Sequence, residues 1–129
     1  MPLAKISIMK GWRREDKQAL HEAVHAAMVK ALKIPEHDRN QRIDEYAPED
    51  FIVPPGRTER YTLVEITLFA GRSLDAKKQL YGEIVKGLGK LGVEPNDVFI
   101  VLYEPPMENW GIRGGIPASE VDLGFKVEV

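Results

Sequence analysis

The sequence predicts an α+β fold: two tandem β-α-β units forming one four-stranded sheet, two helices on one face, and short edge strands including a C-terminal strand. Three observations carry this. Alternating apolar residues at Ala4, Ile6 and Ile8 recur about sixty positions later at Val64, Ile66 and Leu68. Each run is followed by a glycine, Gly11 or Gly71, and then by a stretch with helical spacing. Each helix gives way at a proline, Pro35 or Pro95, to a second extended stretch.

From Pro2 to Ile8, alternation puts Ala4, Ile6 and Ile8 on one face and Leu3, Lys5 and Ser7 on the other, the period of a half-buried strand. Between about 14 and 33 the period changes. Leu20, Val24, Ala27 or Met28, and Ala31 form one apolar stripe against charged neighbours, the pattern of an amphipathic helix. Residues 39–46 are polar for a strand, yet the matching unit places a strand there.

The second unit repeats the plan, with Lys77, Leu80, Ile84 and Leu88 opposite Lys17, Leu20, Val24 and Met28. After a one-residue slip, the turn at Pro95-Asn96-Asp97 falls opposite Glu36-His37-Asp38, and a strand from Val98 to Glu104 closes the unit. A right-handed crossover makes the two strands of each unit parallel. The expected organisation is a single domain over 1–129: unit one at about 2–46, a proline-rich linker at 47–61, unit two at about 62–104, and a C-terminal segment at 105–129. Residues 108–115 are too glycine-rich for regular structure. Beyond them Val121, Leu123, Phe125, Val127 and Val129 alternate, which predicts a last strand able to pair with another subunit. The open sheet face would carry Leu3, Leu63 and Phe69, apolar enough to be covered by oligomerisation.

Composition narrows the function. The 129 residues are 43% hydrophobic and 29% charged with net charge −2, enough for one real core and without the basic face that nucleic acid requires. There is no cysteine, which removes thiolate ligands, cysteine nucleophiles and disulfides. No apolar run reaches the eighteen or so residues of a membrane span. The expectation is a soluble, cytoplasmic protein with no membrane or nucleic-acid partner.

The chain opens Met1-Pro2. Initiator methionine is generally removed before so small a residue, which would leave Pro2 with a secondary amine, a potential base. Together with the doubled strand-helix-strand unit and Gly71-Arg72-Ser73 ahead of the second helix, this start resembles the tautomerase superfamily, in the branch with two fused units. Residues 29–39, Val-Lys-Ala-Leu-Lys-Ile-Pro-Glu-His-Asp-Arg, and Asn109-Trp110 resemble malonate semialdehyde decarboxylase and its relatives. The resemblance runs through nearly the whole chain.

It implies a homotrimer, no cofactor, and a catalytic amino-terminal proline. Pro2 matches that proline, Asp38 the decarboxylase's aspartate, Arg72 its substrate-carboxylate arginine, and Trp110 with Ile112 part of its hydrophobic wall. Two departures stand out. Ala70 replaces a second arginine, and in the first unit Trp12 occupies the place where Gly-Arg-Ser would put one, with Arg13 a position late.

Each site residue also has a plainer reading. Burial and the Arg72 cation would lower the amine's pKa and make Pro2 a base, whereas a carboxylate within about 4–6 Å, such as Asp38, would make it an acid. Arg72, read at a helix N-terminus beside unused backbone N–H groups, suits a carboxylate. Asp38 could equally be a turn residue, as Asp97 would be in unit two. Arg113, set among glycines, either meets a second substrate carboxylate or faces water. Arg57 and Arg60 read as solvated. His21-Glu22-Ala23-Val24-His25 spells a zinc-protease signature, but Val24 belongs to the core stripe and Tyr81 replaces His21 in unit two, so the histidines are expected to flank the buried face and no metal is assigned. Three functions fit: a keto–enol tautomerase of a small 2-oxo acid, a decarboxylase or hydratase of 3-oxo or unsaturated acids, and a non-catalytic trimer that binds a small carboxylate or a partner.

Overall fold

The computed structural model describes residues 2–129; the expected removal of Met1 lies outside them. β1 (Leu3–Met9) leads into α1 (Arg14–Leu32) and β2 (Gln41–Tyr46), and β3 (Thr62–Thr67) into α2 (Leu74–Gly89) and β4 (Val98–Tyr103). The sheet order is β2-β1-β3-β4. β1 and β2 are parallel, as are β3 and β4, while the central β1–β3 pair is antiparallel. The two units are thus joined back to back.

Both apolar stripes do what their spacing dictates. Ala4, Ile6 and Ile8 of β1 and Val64 and Ile66 of β3 are buried against Leu20, Val24 and Met28 of α1 and Leu80, Ile84 and Leu88 of α2. Burying side chains of this size stabilises by about 1.5–3 kcal/mol each relative to exposure. The helices meet closely at Gly87, where an added Cβ would lie 3.1 Å from the Ala23 Cβ. α1 ends on Lys33 in the left-handed conformation, its N–H bonded to the Val29 carbonyl. α2 begins with Ser73, whose hydroxyl accepts from the Ala76 N–H, as an N-cap serine does.

β2 is polar because it is an edge strand: Ile43 sits opposite Ile6 and packs on the core, Glu45 on the same face pairs with Lys17 of α1, and the Tyr46 ring at its end meets Phe51.

Several expectations change. The short strands beyond the main sheet are β5 (Gly111–Ile112) and β6 (Ile116–Pro117), a small hairpin that begins inside the stretch read as irregular and closes just past it. Residues 121–129 form no strand: Asp122 Oδ1 accepts from the Gly124 N–H in a tight turn, and Gly124 has φ 78°. That turn breaks the extended backbone on which the alternation depends, and the tail folds back so that the Val129 carbonyl accepts from the Ser73 N–H. Phe69 is not on the open face. It lies past the end of β3 and is buried with Ile112, Ala118 and Val127 in a second, smaller core. Leu3 and Leu63 are half-buried on the open face, where Phe99 (50% exposed) and Tyr103 (47%) are the most exposed apolar rings.

Arg60 is not simply solvated. Its guanidinium lies 3.9 Å over the Trp12 ring, and Nη2 donates to the Leu91 carbonyl. Arg57 is half-buried, with Nη1 on the Pro55 carbonyl. The linker is tied down further by Asp97, which accepts from both the N–H and the hydroxyl of Thr58.

Candidate active site

The sheet topology gathers the predicted residues at one end. β1 starts where β3 ends, since Leu3 pairs with Thr67. β2 starts there too, because the Ala4 N–H bonds the Asn40 carbonyl and Ala4 pairs with Gln41. β4 ends there, with the Leu68 N–H on the Tyr103 carbonyl. Pro2, the Asp38 loop, the Phe69–Ser73 turn and the chain leaving β4 toward Trp110 therefore converge. Pro2 itself is buried.

Asp38, Ile112 and Arg113 line one cavity of about 300 Å³, together with Pro35, His37, Arg39, Leu123 and Phe125. These come from three distant stretches: the α1–β2 loop, the β5–β6 hairpin and the tail. Arg113 sits in the left-handed conformation (φ 48°) at the hairpin turn, a conformation costly for a residue with a Cβ and concentrated at functional sites. Its side chain is exposed and has no hydrogen-bond or ion-pair partner among the described residues. Arg39 beside it is held by Glu22, at 2.9 Å.

Arg72 lies deeper than its position before a helix indicated. It is only 6% exposed, with Nη1 donating 3.1 Å to the Phe69 carbonyl and a buried Nε that has no partner among the described residues. The backbone N–H groups expected beside it are partly used: the Ser73 N–H is on Val129 and the Ala76 N–H on the Ser73 hydroxyl. Burial pushes the Arg72 pKa down from its ordinary value, opposed by the negative charges of Glu104, Asp38 and Glu128. Asp38 and Arg72, far apart in sequence, thus act on each other electrostatically. Ala70 is exposed and offers no second cation.

Trp110 lies against Phe69 rather than along the cavity. Their ring centroids are 4.7 Å apart in an edge-on arrangement, and the indole N–H donates 3.2 Å to the Pro105 carbonyl. Ile112 buries its side chain in the same cluster while lining the cavity. In unit one, Trp12 holds the repeat position corresponding to Arg72, but because β1 and β3 are antiparallel it lies at the opposite end of the sheet, buried with its ring under Arg60.

The two histidines stand one turn apart on α1 but differ in depth. His25 is buried, its Nε2 2.8 Å from the Glu36 carbonyl, while half-buried His21 places Nδ1 2.7 Å from Gln41 Oε1. His25 is buried with Val24 and Met28 on the inner side of α1 instead of flanking the core. No group of three His, Cys, Asp or Glu among the described residues could hold a metal. A larger recess of about 580 Å³ runs along the outer groove between the helices, lined by residues such as Ala23, Ala26, Lys30, Glu83 and Gly87, and includes none of the predicted site residues. No helix among the described residues is long and apolar enough to cross a membrane.

A doubled β-α-β sheet with a buried arginine and a proline at the same end defines a class. The sequence pattern of the tautomerase enzyme family matches residues 38–113, more than half of the chain, and a second tautomerase enzyme pattern matches residues 2–59. The chain belongs to the tautomerase family. It is 31% identical over 121 residues to "Probable tautomerase YusQ" of Bacillus subtilis (strain 168), covering 89% of this chain and 95% of that relative. Among solved structures, it is similar to FG41 malonate semialdehyde decarboxylase inhibited by 3-bromopropiolate, at 30% identity and a TM-score of 0.81, covering 89% of this chain and 92% of the other. Wild-type and inactivated malonate semialdehyde decarboxylase gives 27% identity and 0.81, over 87% and 92%. A wild-type fused 4-OT described as a symmetric trimer gives 30% and 0.80, over 91% and 96%.

Proposed function

We propose that the chain is a cofactor-independent keto–enol tautomerase of a small 2-oxo acid, acting in the cytoplasm, with the Pro2 amine as its acid–base group once Met1 is removed. The observation that carries this reading is Arg72, a guanidinium buried at Pro2's end of the sheet whose Nε–H has no partner among the described residues. A buried donor without a partner is costly, and a substrate carboxylate would supply the missing acceptor. In the ketonising direction the Pro2 amine takes the enol O–H proton as the carbonyl forms, and the ammonium so made gives that proton to the adjacent carbon, which restores the neutral amine. One proton moves from oxygen to carbon and no electrons change hands. Ile112 supplies an apolar wall, Trp110 steadies Phe69 behind Arg72, and Arg113 meets the polar far end of the substrate.

A homotrimer belongs to the same proposal. The exposed Phe99 and Tyr103 on the open sheet face give copies an apolar surface to share, and the trimeric fused 4-OT neighbour supports that assembly.

The test is ketonisation of phenylenolpyruvate by wild type and Pro2→Ala, with the mass of each chain measured first. Loss of a positioned general base lowers turnover by about 10²–10⁴-fold; equal rates would overturn the proposal. A wild-type mass that retains Met1, with no turnover, would favour a carboxylate-binding protein instead.

One observation favours a second reading, a decarboxylase or hydratase of 3-oxo or unsaturated acids: the charge of Asp38 reaches Arg72, and a carboxylate at this end favours a protonated Pro2. The two readings differ in the direction of their pH dependence.

A further inference from the structure

We infer that His25 is a positioning residue for Asp38: its hydrogen bond to the Glu36 carbonyl, 2.8 Å, fixes the loop that carries Asp38 into the cavity. A carbonyl oxygen only accepts, so Nε2 carries the hydrogen and donates it. The ring is 1% exposed on the inner face of α1, which makes it a rigid post. The loop is otherwise tied near its ends, by Ile34 in the core, by the Arg39–Glu22 ion pair and by the Asn40 carbonyl, which accepts from the Ala4 N–H. Residues 33–40 lie outside helix and strand, Glu36 and His37 are exposed, and the loop's internal bonds are short-range, Asp38 N–H to the Pro35 carbonyl and Arg39 N–H to the His37 carbonyl.

The second unit shows what the same turn does without such a post. Val85 stands where His25 stands in unit one, and the Asp97 N–H bonds the Glu94 carbonyl just as the Asp38 N–H bonds the Pro35 carbonyl. There the aspartate itself is the anchor: Asp97 is 2% exposed and takes both the N–H and the hydroxyl of Thr58. In unit one a histidine bonds the turn, and the aspartate lines the cavity. The two copies of the turn are held differently, and Asp38 stands at the cavity wall, where chemistry could use it.

This inference rests on the proposed role of Asp38, so the experiment separates the two. In the full chain, His25→Leu, His25→Gln, Asp38→Asn and the double variant His25→Leu/Asp38→Asn are compared by amide hydrogen exchange at Asp38 and by kcat and KM for the enol substrate. His25→Leu should speed exchange at Asp38 and lower kcat by roughly ten- to a hundredfold, since about 1 Å of misplacement can cost that much. His25→Gln, which keeps a donor, should recover part of both. In the Asp38→Asn background, His25→Leu should lower kcat no further. Unchanged exchange in His25→Leu, or a full additional loss of kcat in the double variant, would overturn the inference. If Asp38→Asn turns over like wild type, the role of Asp38 fails, and accelerated exchange in His25→Leu still supports the post.

Discussion

The Trp110 ring meets Phe69 edge-on with centroids 4.7 Å apart, and the Phe69 carbonyl is the acceptor for Arg72 Nη1 at 3.1 Å. The aromatic pair therefore fixes the backbone atom that fixes the guanidinium. Edge-on aromatic pairs contribute about 0.5–1.5 kcal/mol beyond the area they bury. Trp110→Ala should lower stability by about 2–3 kcal/mol, below the 3–5 of a fully buried tryptophan because Trp110 is half-buried. It should also raise KM for the enol acid more than it lowers kcat, because it loosens the anion site rather than the proton transfer. Urea denaturation and steady-state kinetics on the one variant check both; an unchanged KM would separate Trp110 from Arg72.

Arg72 should not tolerate lysine. A lysine replaces the planar fork with a single ammonium, losing the donor on Phe69 and the buried Nε–H together. Arg72→Lys is expected to cut kcat/KM by about tenfold or more, in the range of a charge-assisted hydrogen bond worth about 1.5–3 kcal/mol. Wild-type kcat/KM in that variant would remove Arg72 from the site.

The two equivalent aspartates should part company in stability. Asp97→Ala removes a buried acceptor that takes both Thr58 donors, and hydrogen bonds to a charged group contribute about 1.5–3 kcal/mol. Asp38→Ala, at a half-buried cavity wall, should cost under about 1 kcal/mol. Chemical denaturation of both variants reads the difference directly, and equal losses would mean that both serve only their turns.

Trp12 and Arg60 should be coupled. Trp12→Ala removes a buried indole and is expected to cost about 3–5 kcal/mol. Arg60→Ala loses the stacked cation and the bond to the Leu91 carbonyl, about 1–2 kcal/mol. In a double-mutant cycle the pair should show a coupling of about 0.5–1 kcal/mol; strict additivity would mean that the stack contributes nothing.

The pH profile decides the direction of chemistry. If Pro2 works as a base, its neutral form is active, and kcat/KM should fall as pH drops through the amine's titration. If it works as an acid, the protonated form is active and the rate should fall as pH rises through that titration. Asp38→Asn removes a negative charge and should move the controlling pKa down in either case. A controlling pKa that stays fixed would place Asp38 too far from Pro2 to matter.

Legibility in the sequence followed the range of the forces. The period of two at Ala4, Ile6 and Ile8 and the helical stripe at Leu20, Val24 and Met28 are local, and each pattern can bury its apolar side in only one kind of element. The repeat supplied what periodicity alone lacks, a partner of known type for the polar strand Gln41–Tyr46. The tail misled because its alternation is real while its backbone turns at Gly124, and a strand needs an edge to bond as well as a pattern. The role of His25 had no sequence signal except its absence from unit two, where Val85 stands.

By itself the sequence determined the two units, their parallel strand pairs, the shared apolar stripes and the resemblance that pointed to Pro2, Asp38 and Arg72. These follow from side-chain period and motif, which the chain carries locally. The tertiary structure alone decided that Asp38, Ile112 and Arg113 share a cavity, that Arg72 is buried on the Phe69 carbonyl, and that Trp12, at the corresponding repeat position of unit one, lies under Arg60 at the opposite end of the sheet. Such juxtapositions depend on antiparallel docking of β1 on β3 and on the path of the tail, and contacts between distant segments are set by how elements pack together, not by the order in which their residues occur.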